Sequence, residues 1–104
     1  MSFFTDSETE NLLEENSSNF ESEAKILKAL AHPVRLCIVV GLLDEEGCNV
    51  TKMQQCLDIP QSTLSQHLAK LRDADILSSK RNGLERNYYV VSDKAKKIVM
   101  SLND

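Results

Sequence analysis

Three glycines, two histidines and three cysteines are few for a chain of 104 residues, and each scarcity removes a class of function. With three glycines there is no glycine-rich loop to cradle a nucleotide phosphate. No nucleophile–base pair and no paired carboxylates stand out around the two histidines, so an enzyme is not expected. Cys37, Cys48 and Cys56 are odd in number and widely spaced. They make no disulfide framework and fit a reducing cytosol. No apolar run approaches the roughly 18–20 residues of a membrane span. The first 23 residues contain no base and no apolar h-region, which excludes a signal peptide and points to the cytoplasm.

What is present is one small domain's worth of chain, 41% hydrophobic and 27% charged. Domains of this size often gain stability by dimerising. The formal net charge of −4 argues against a nucleic-acid partner until its distribution is read. Residues 1–23 carry seven acids, whereas the remaining 81 carry 12 bases against nine acids. From Ile59 to Lys97 eight bases face four acids. Acidity belongs to the amino terminus, and the rest of the chain is mildly basic.

Residues 1–19 are rich in Ser, Asn, Thr and Glu and read as a flexible acidic arm, with Leu12 and Leu13 able to form a transient helical turn. Such an arm has three candidate roles: extending a dimer interface, docking a partner, or competing with DNA for the basic face. Residues 20–104 form the domain. Glu21 to Ala31 is expected as a short helix, ended by Pro33, which opens the next. Val34 to Asp44 is apolar on nearly every side and predicts a buried central helix. A short extended link follows at Cys48-Asn49-Val50. Thr51-Lys52-Met53-Gln54 matches a capping box for a two-turn helix, and Asp58-Ile59-Pro60 is a turn.

Residues 60–72 then read as a helix with two chemistries. At about 100° per residue, Leu64, Leu68 and Leu71 share one stripe. Ser62, Gln66 and Ala69 lie opposite, with Ser65 on one flank and Thr63 and Lys70 on the other. That outer face holds hydroxyls, a carboxamide and one positive charge, but no carboxylate. Short hydrogen-bonding side chains without negative charge suit the DNA major groove. Next, Ile76–Arg81 and Leu84–Val91 flank Asn82-Gly83, the pattern of a hairpin with a type I′ turn. Lys80, Arg81 and Arg86 surround its tip, opposed by Glu85. Ser92-Asp93 caps a last helix lined by Ala95, Ile98, Val99 and Leu102. The expected class is mainly α with a β-hairpin, in the order α-α-α-α-β-β-α: a helix-turn-helix followed by a basic wing.

The sequence here resembles the ArsR/SmtB family of small bacterial repressors. The resemblance rests on Leu27-Lys28-Ala29-Leu30-Ala31-His32-Pro33-Val34-Arg35-Leu36, on Gln61 to Leu68 with Leu71, and on Lys80-Arg81-Asn82-Gly83 through Tyr88-Tyr89. It spans residues 24–102. It implies a homodimer through the first and last helices, with Ile26, Leu27, Leu30, Ile98, Val99 and Leu102 at the interface. It also implies a double-stranded palindromic operator and repression by promoter occlusion. The family's thiolate metal positions fall on Asn49 and Thr51, and the last helix carries Lys94, Lys96 and Lys97 without a histidine. Neither metal site nor cofactor is expected.

The residues expected at DNA are Gln61, Ser62, Thr63, Ser65, Gln66, His67, Lys70, Lys80, Arg81 and Arg86. Gln pairs bidentately with adenine, Ser and Thr serve bases or phosphates, and the cations meet phosphates. Ser62 and Thr63 are also eligible helix caps. His67, at the edge of the leucine stripe, reads either as a hydrogen-bonded boundary residue or as a DNA contact. His32 is expected to order the junction of the first two helices. Cys37 and Cys56 read as packed side chains. Cys48 reads as the most exposed candidate for redox chemistry, with Cys37 second. A thiol-based redox or sulfur-species sensor of the same fold is therefore one alternative function, and a winged-helix protein-interaction module is another.

Overall fold

The computed structural model describes residues 14–102. They form α1 (Ser17–Leu30), α2 (Pro33–Asp44), β1 (Cys48–Asn49), α3 (Val50–Leu57), α4 (Gln61–Asp73), β2 (Leu77–Asn82), β3 (Glu85–Val90) and α5 (Asp93–Ser101). This is a winged helix-turn-helix. Most of the expected arm, including Leu12 and Leu13, lies outside the described residues.

α1 begins four residues earlier than its sequence pattern suggested, and only its C-terminal half is buried, through Ile26, Ala29 and Leu30. The chain then bends by 97° into α2. Pro33 occupies the first turn of α2, where a missing N–H costs little. His32 caps that helix: its Nδ1 accepts from the Val34 N–H at 3.1 Å. α2 buries Ile38, Val39, Leu42 and also Arg35. Burial on every side, as its composition predicted, is not what the fold delivers. Val40 is 40% exposed and Cys37 is exposed too. The side of α2 that meets α1, α4, α5 and β3 is covered, and among the described residues the side with Cys37 and Val40 stays open.

The link after α2 is a short strand, so the sheet has three strands in the order β1-β3-β2. Cys48 pairs with Tyr88 and Asn49 with Asn87, antiparallel. Gly47 enters this strand with φ +74, and a Cβ there would stand 3.1 Å from the Tyr89 hydroxyl. The expected capping box at Thr51 is not used. α3 starts at Val50, and Asn49 caps it, its side chain accepting from the Lys52 N–H at 2.8 Å. An amide one residue ahead of the helix competes well with a hydroxyl for that donor.

The wing also differs from its sequence pattern. Leu77 pairs with Val90, and the ladder runs to Asn82 opposite Glu85. The two loop residues are therefore Gly83-Leu84, not Asn82-Gly83. Of these only Gly83 has positive φ, at +66. That is the demand of a type II′ turn, which needs left-handed φ at its first central residue alone. α5 keeps its expected cap, with the Ser92 hydroxyl accepting from the Ala95 N–H at 3.1 Å.

The core is built from Val39, Leu42, Leu64, Leu68, Leu71, Ile76 and Val99, all less than 2% or about 2% exposed. Three of the six residues placed at a dimer interface, Ile26, Leu30 and Val99, are spent in this core. Ile98 is half-buried, while Leu27 and Leu102 are exposed. Phe20 and Met100, which the pattern did not single out, are exposed on the same two helices.

Candidate nucleic-acid interface

α4 is anchored by Leu64, Leu68 and Leu71, each buried. Its residues Gln61, Ser62, Ser65, Gln66, Ala69 and Lys70 are exposed, and Thr63 is half-buried. The helix starts after Pro60 with no side-chain cap, so the Ser62 and Thr63 hydroxyls are not consumed as caps. Among the described residues, Gln61, Ser62, Thr63, Ser65 and Gln66 make no side-chain hydrogen bond. The face thus presents unspent donors and acceptors at the spacing of one helix surface, the requirement for reading base edges.

The wing supplies charge beside it. Arg81 stands directly opposite Arg86 across the ladder, and neither forms an ion pair among the described residues. Like charges opposed on one strand pair are destabilising, so the chain alone gains nothing from this arrangement. Phosphate between or beside the two guanidiniums reverses that sign. The loop position creates the pairing. A turn centred on Asn82-Gly83 would instead set Lys80 opposite Glu85. Arg86 Nη1 donates to the Ser79 hydroxyl at 2.9 Å, which fixes its direction. The Lys80 ammonium lies 5.5 Å from the centre of the Tyr89 ring, a cation–π distance.

His67, half-buried like Thr63, is held by partners inside the fold. Its ring centroid is 4.5 Å from that of His32, and its Nδ1 accepts from Arg35 Nη1 at 3.4 Å. Arg35, whose burial the sequence reading missed, also donates from Nε to the Ala29 carbonyl at 2.6 Å. One cluster therefore joins α4 to the α1–α2 junction. Burial lowers the pKa of His67 below 6.5, and His32, Arg35 and Lys70 lower it further. Because the folded pKa is depressed, this histidine binds fewer protons folded than unfolded. Its share of stability is complete above its unfolded pKa and is lost as pH falls through the window below about 6.5. We expect the melting temperature to drop between about pH 7.5 and pH 5.5, and to drop less in His67→Gln. An equal drop in both proteins, measured by thermal unfolding, refutes this assignment.

The cysteines are not where the sequence suggested. Cys37 and Cys56 are exposed and Cys48 is half-buried. Cys37 lies on the flank of α2 that faces α3 across an open groove, too wide to cover it, and α3 turns Cys56 outward. All three thiols line one cavity of about 130 Å³ between α2, β1 and α3. Burial, and next to it the Glu45 carboxylate, raises the pKa of Cys48, which disfavours its thiolate at neutral pH. Among the described residues no three His, Cys, Asp or Glu side chains are placed to hold a metal ion. No single helix there is long and apolar enough to cross a membrane.

Comparison with known proteins places this geometry. Residues 30–79 match a family described as a helix-turn-helix domain. The chain is 44% identical over 85 residues to the transcriptional repressor PagR of Bacillus anthracis, covering 82% of this chain and 85% of that one. The crystal structure of that repressor superposes with a TM-score of 0.77 over 84% of this chain and 99% of its own. NolR from Sinorhizobium fredii superposes with a TM-score of 0.76 at 35% identity, over 86% of this chain and 88% of its own. A transcriptional repressor SmtB of Mycobacterium tuberculosis is 34% identical over 80 residues, 77% of this chain and 58% of that protein.

Proposed function

The chain belongs to the ArsR/SmtB family of winged helix-turn-helix transcriptional repressors and is itself a DNA-binding repressor, and we propose that it works as a homodimer on a palindromic promoter operator. The observation that carries this reading is the outer face of α4, whose hydroxyls and carboxamides have no partner among the described residues, beside the opposed Arg81 and Arg86 of the wing. In this reading α4 of each protomer enters one of two successive major grooves, about 34–36 Å apart. Ser62, Ser65 and Gln66 face base edges. Gln61, Thr63 and Lys70 meet the adjacent backbone, and the wing residues Lys80, Arg81 and Arg86 grip the flanking phosphates. His67 acts from behind, by holding α4 against Arg35.

The protomers meet through the exposed apolar surface of α1 and α5, where Leu27 and Leu102 are 54% and 63% exposed. Repression follows from occupying the promoter, in the cytoplasm where that DNA lies, without catalysis. Metal does not control it in this reading: Asn49, at one of the family's thiolate positions, is spent on capping α3, and three lysines of α5 repel cations.

The test is affinity for a genome-selected operator against a scrambled duplex, as a function of salt. A protein neutralising about six phosphates gives a slope of log K against log salt near −5. The selected palindrome should bind two chains and exceed the scrambled duplex by about 10³-fold or more. A flat salt response, or equal affinity for both duplexes, overturns the proposal.

A further inference from the structure

A second basic feature lies away from the wing. An open concavity of about 300 Å³ between α1 and the C-terminal half of α4 is lined by Lys25, Lys28, Arg35, Lys70 and Asp73, with two alanines leaving room between them. Four cations meet one carboxylate there, and none of the four forms an ion pair among the described residues. Lys25, Lys28 and Lys70 are exposed, and exposed lysines alone would be an ordinary solvated surface. Arg35 is different. It is only 9% exposed, and no carboxylate of the described residues pairs with it.

A guanidinium has five N–H donors in a planar fork. Arg35 spends one on the Ala29 carbonyl and one on His67 Nδ1, leaving three with no acceptor among the described residues. These donors are not sealed from solvent but open into the concavity, where a surplus of positive charge at partly buried positions favours an anion. The surplus of three positive charges matches a multiply charged group better than a single carboxylate. The fork matches tetrahedral oxyanions, which it binds bidentately.

We propose that Arg35, Lys25, Lys28 and Lys70 form a phosphate-class oxyanion site on the flank of the recognition helix. Two sources supply that chemistry: a phosphate of the operator backbone beyond the α4 and wing contacts, or a free phosphate group. Either one is felt by α4 directly, because Lys70 lies on that helix and Arg35 holds its His67. The site is absent from the sequence pattern because its residues come from three helices and because Arg35 gives no sign of burial.

Two measurements on the full-length protein and on a Lys25→Gln, Lys28→Gln double variant decide the matter. Both replaced side chains are exposed, so the variant folds as the parent does. The first is thermal unfolding in inorganic phosphate against chloride at equal ionic strength. A site filled at about ten times its Kd raises the melting temperature by about 6–11 °C, and the double variant should lose most of that rise. The second is the salt dependence of operator binding, whose slope should become shallower by about 2–4 in the double variant, two lysines being lost from each protomer, if backbone phosphate is the occupant. A phosphate shift confined to the parent identifies a free anion. A shallower slope without a phosphate shift identifies DNA, and either result supports the site. Equal phosphate shifts in both proteins, or no shift together with an unchanged slope, overturn it. The DNA measurement rests on the operator reading, whereas the unfolding measurement needs no DNA. A parent that binds no promoter duplex therefore fails that reading alone, and unfolding still decides the anion site.

Discussion

Replacing Gln66 by alanine is expected to weaken operator binding by about 10–100-fold while leaving scrambled-duplex binding unchanged. A bidentate carboxamide–adenine pair supports about 1–3 kcal/mol of discrimination, and that energy belongs to base readout alone. Gln66 is exposed and makes no bond within the described protein. The substitution therefore leaves the melting temperature where it was, and the loss is a loss of contact with DNA. Arg81→Ala supplies the contrast. It removes one of two opposed cations from each wing, so it should weaken binding to both duplexes alike and, with two protomers on the operator, make the salt slope shallower by about 2. Fluorescence anisotropy on the two duplexes at several salt concentrations separates these patterns. If Gln66→Ala and Arg81→Ala both leave operator binding untouched, the α4 face and the wing are not the readers, and a protein-interaction role for this winged helix gains the ground they lose.

The division between what the sequence made legible and what it hid follows the range of the forces involved. The α4 stripe was legible because Leu64, Leu68 and Leu71 repeat at the helical period and polar residues fill the opposite side, so local pattern and tertiary packing agree. The α5 cap at Ser92 is likewise a local bond. α2 was misread because a helix apolar on every side has no preferred face. Which side stays open is set by the elements that surround it, and Cys37 and Val40 ended on the uncovered side. The wing was recognised as a hairpin, but its turn was placed one residue too early, which shifts the cross-strand pairing by two. Asn-Gly and Gly-Leu both satisfy a two-residue turn through different types, and the ladder down to Leu77 and Val90 chooses between them. That single step matters for the site, since it sets Arg81 against Arg86. Arg35 was hidden for the opposite reason. Charged residues are rarely buried, and its partners lie six residues away in α1 and 32 residues away in α4.

The same stripe that announced α4 sets the largest stability effect. Leu68 is 2% exposed, on a helix whose buried face meets α1, α2 and β2. Leu68→Ala removes buried methyl groups and leaves a cavity in the middle of that contact, at a cost of about 3 kcal/mol. For a domain of this size that corresponds to a fall of roughly 12–24 °C in melting temperature. Leu84→Ala is the matched control, because Leu84 at the wing tip is fully exposed and the same truncation there leaves no cavity. Its melting temperature should stay within about 2 °C of the parent. Leu27→Ala discriminates a third situation: Leu27 is exposed in the protomer, so its truncation costs nothing unless a partner covers it. With a homodimer through α1 and α5, the parent melts higher as protein concentration rises, and Leu27→Ala lowers the melting temperature most at low concentration. Equal melting temperatures for Leu68→Ala and Leu84→Ala would mean that α4 is not held by its leucine stripe. A parent melting temperature independent of concentration would place Leu27 outside any stabilising interface.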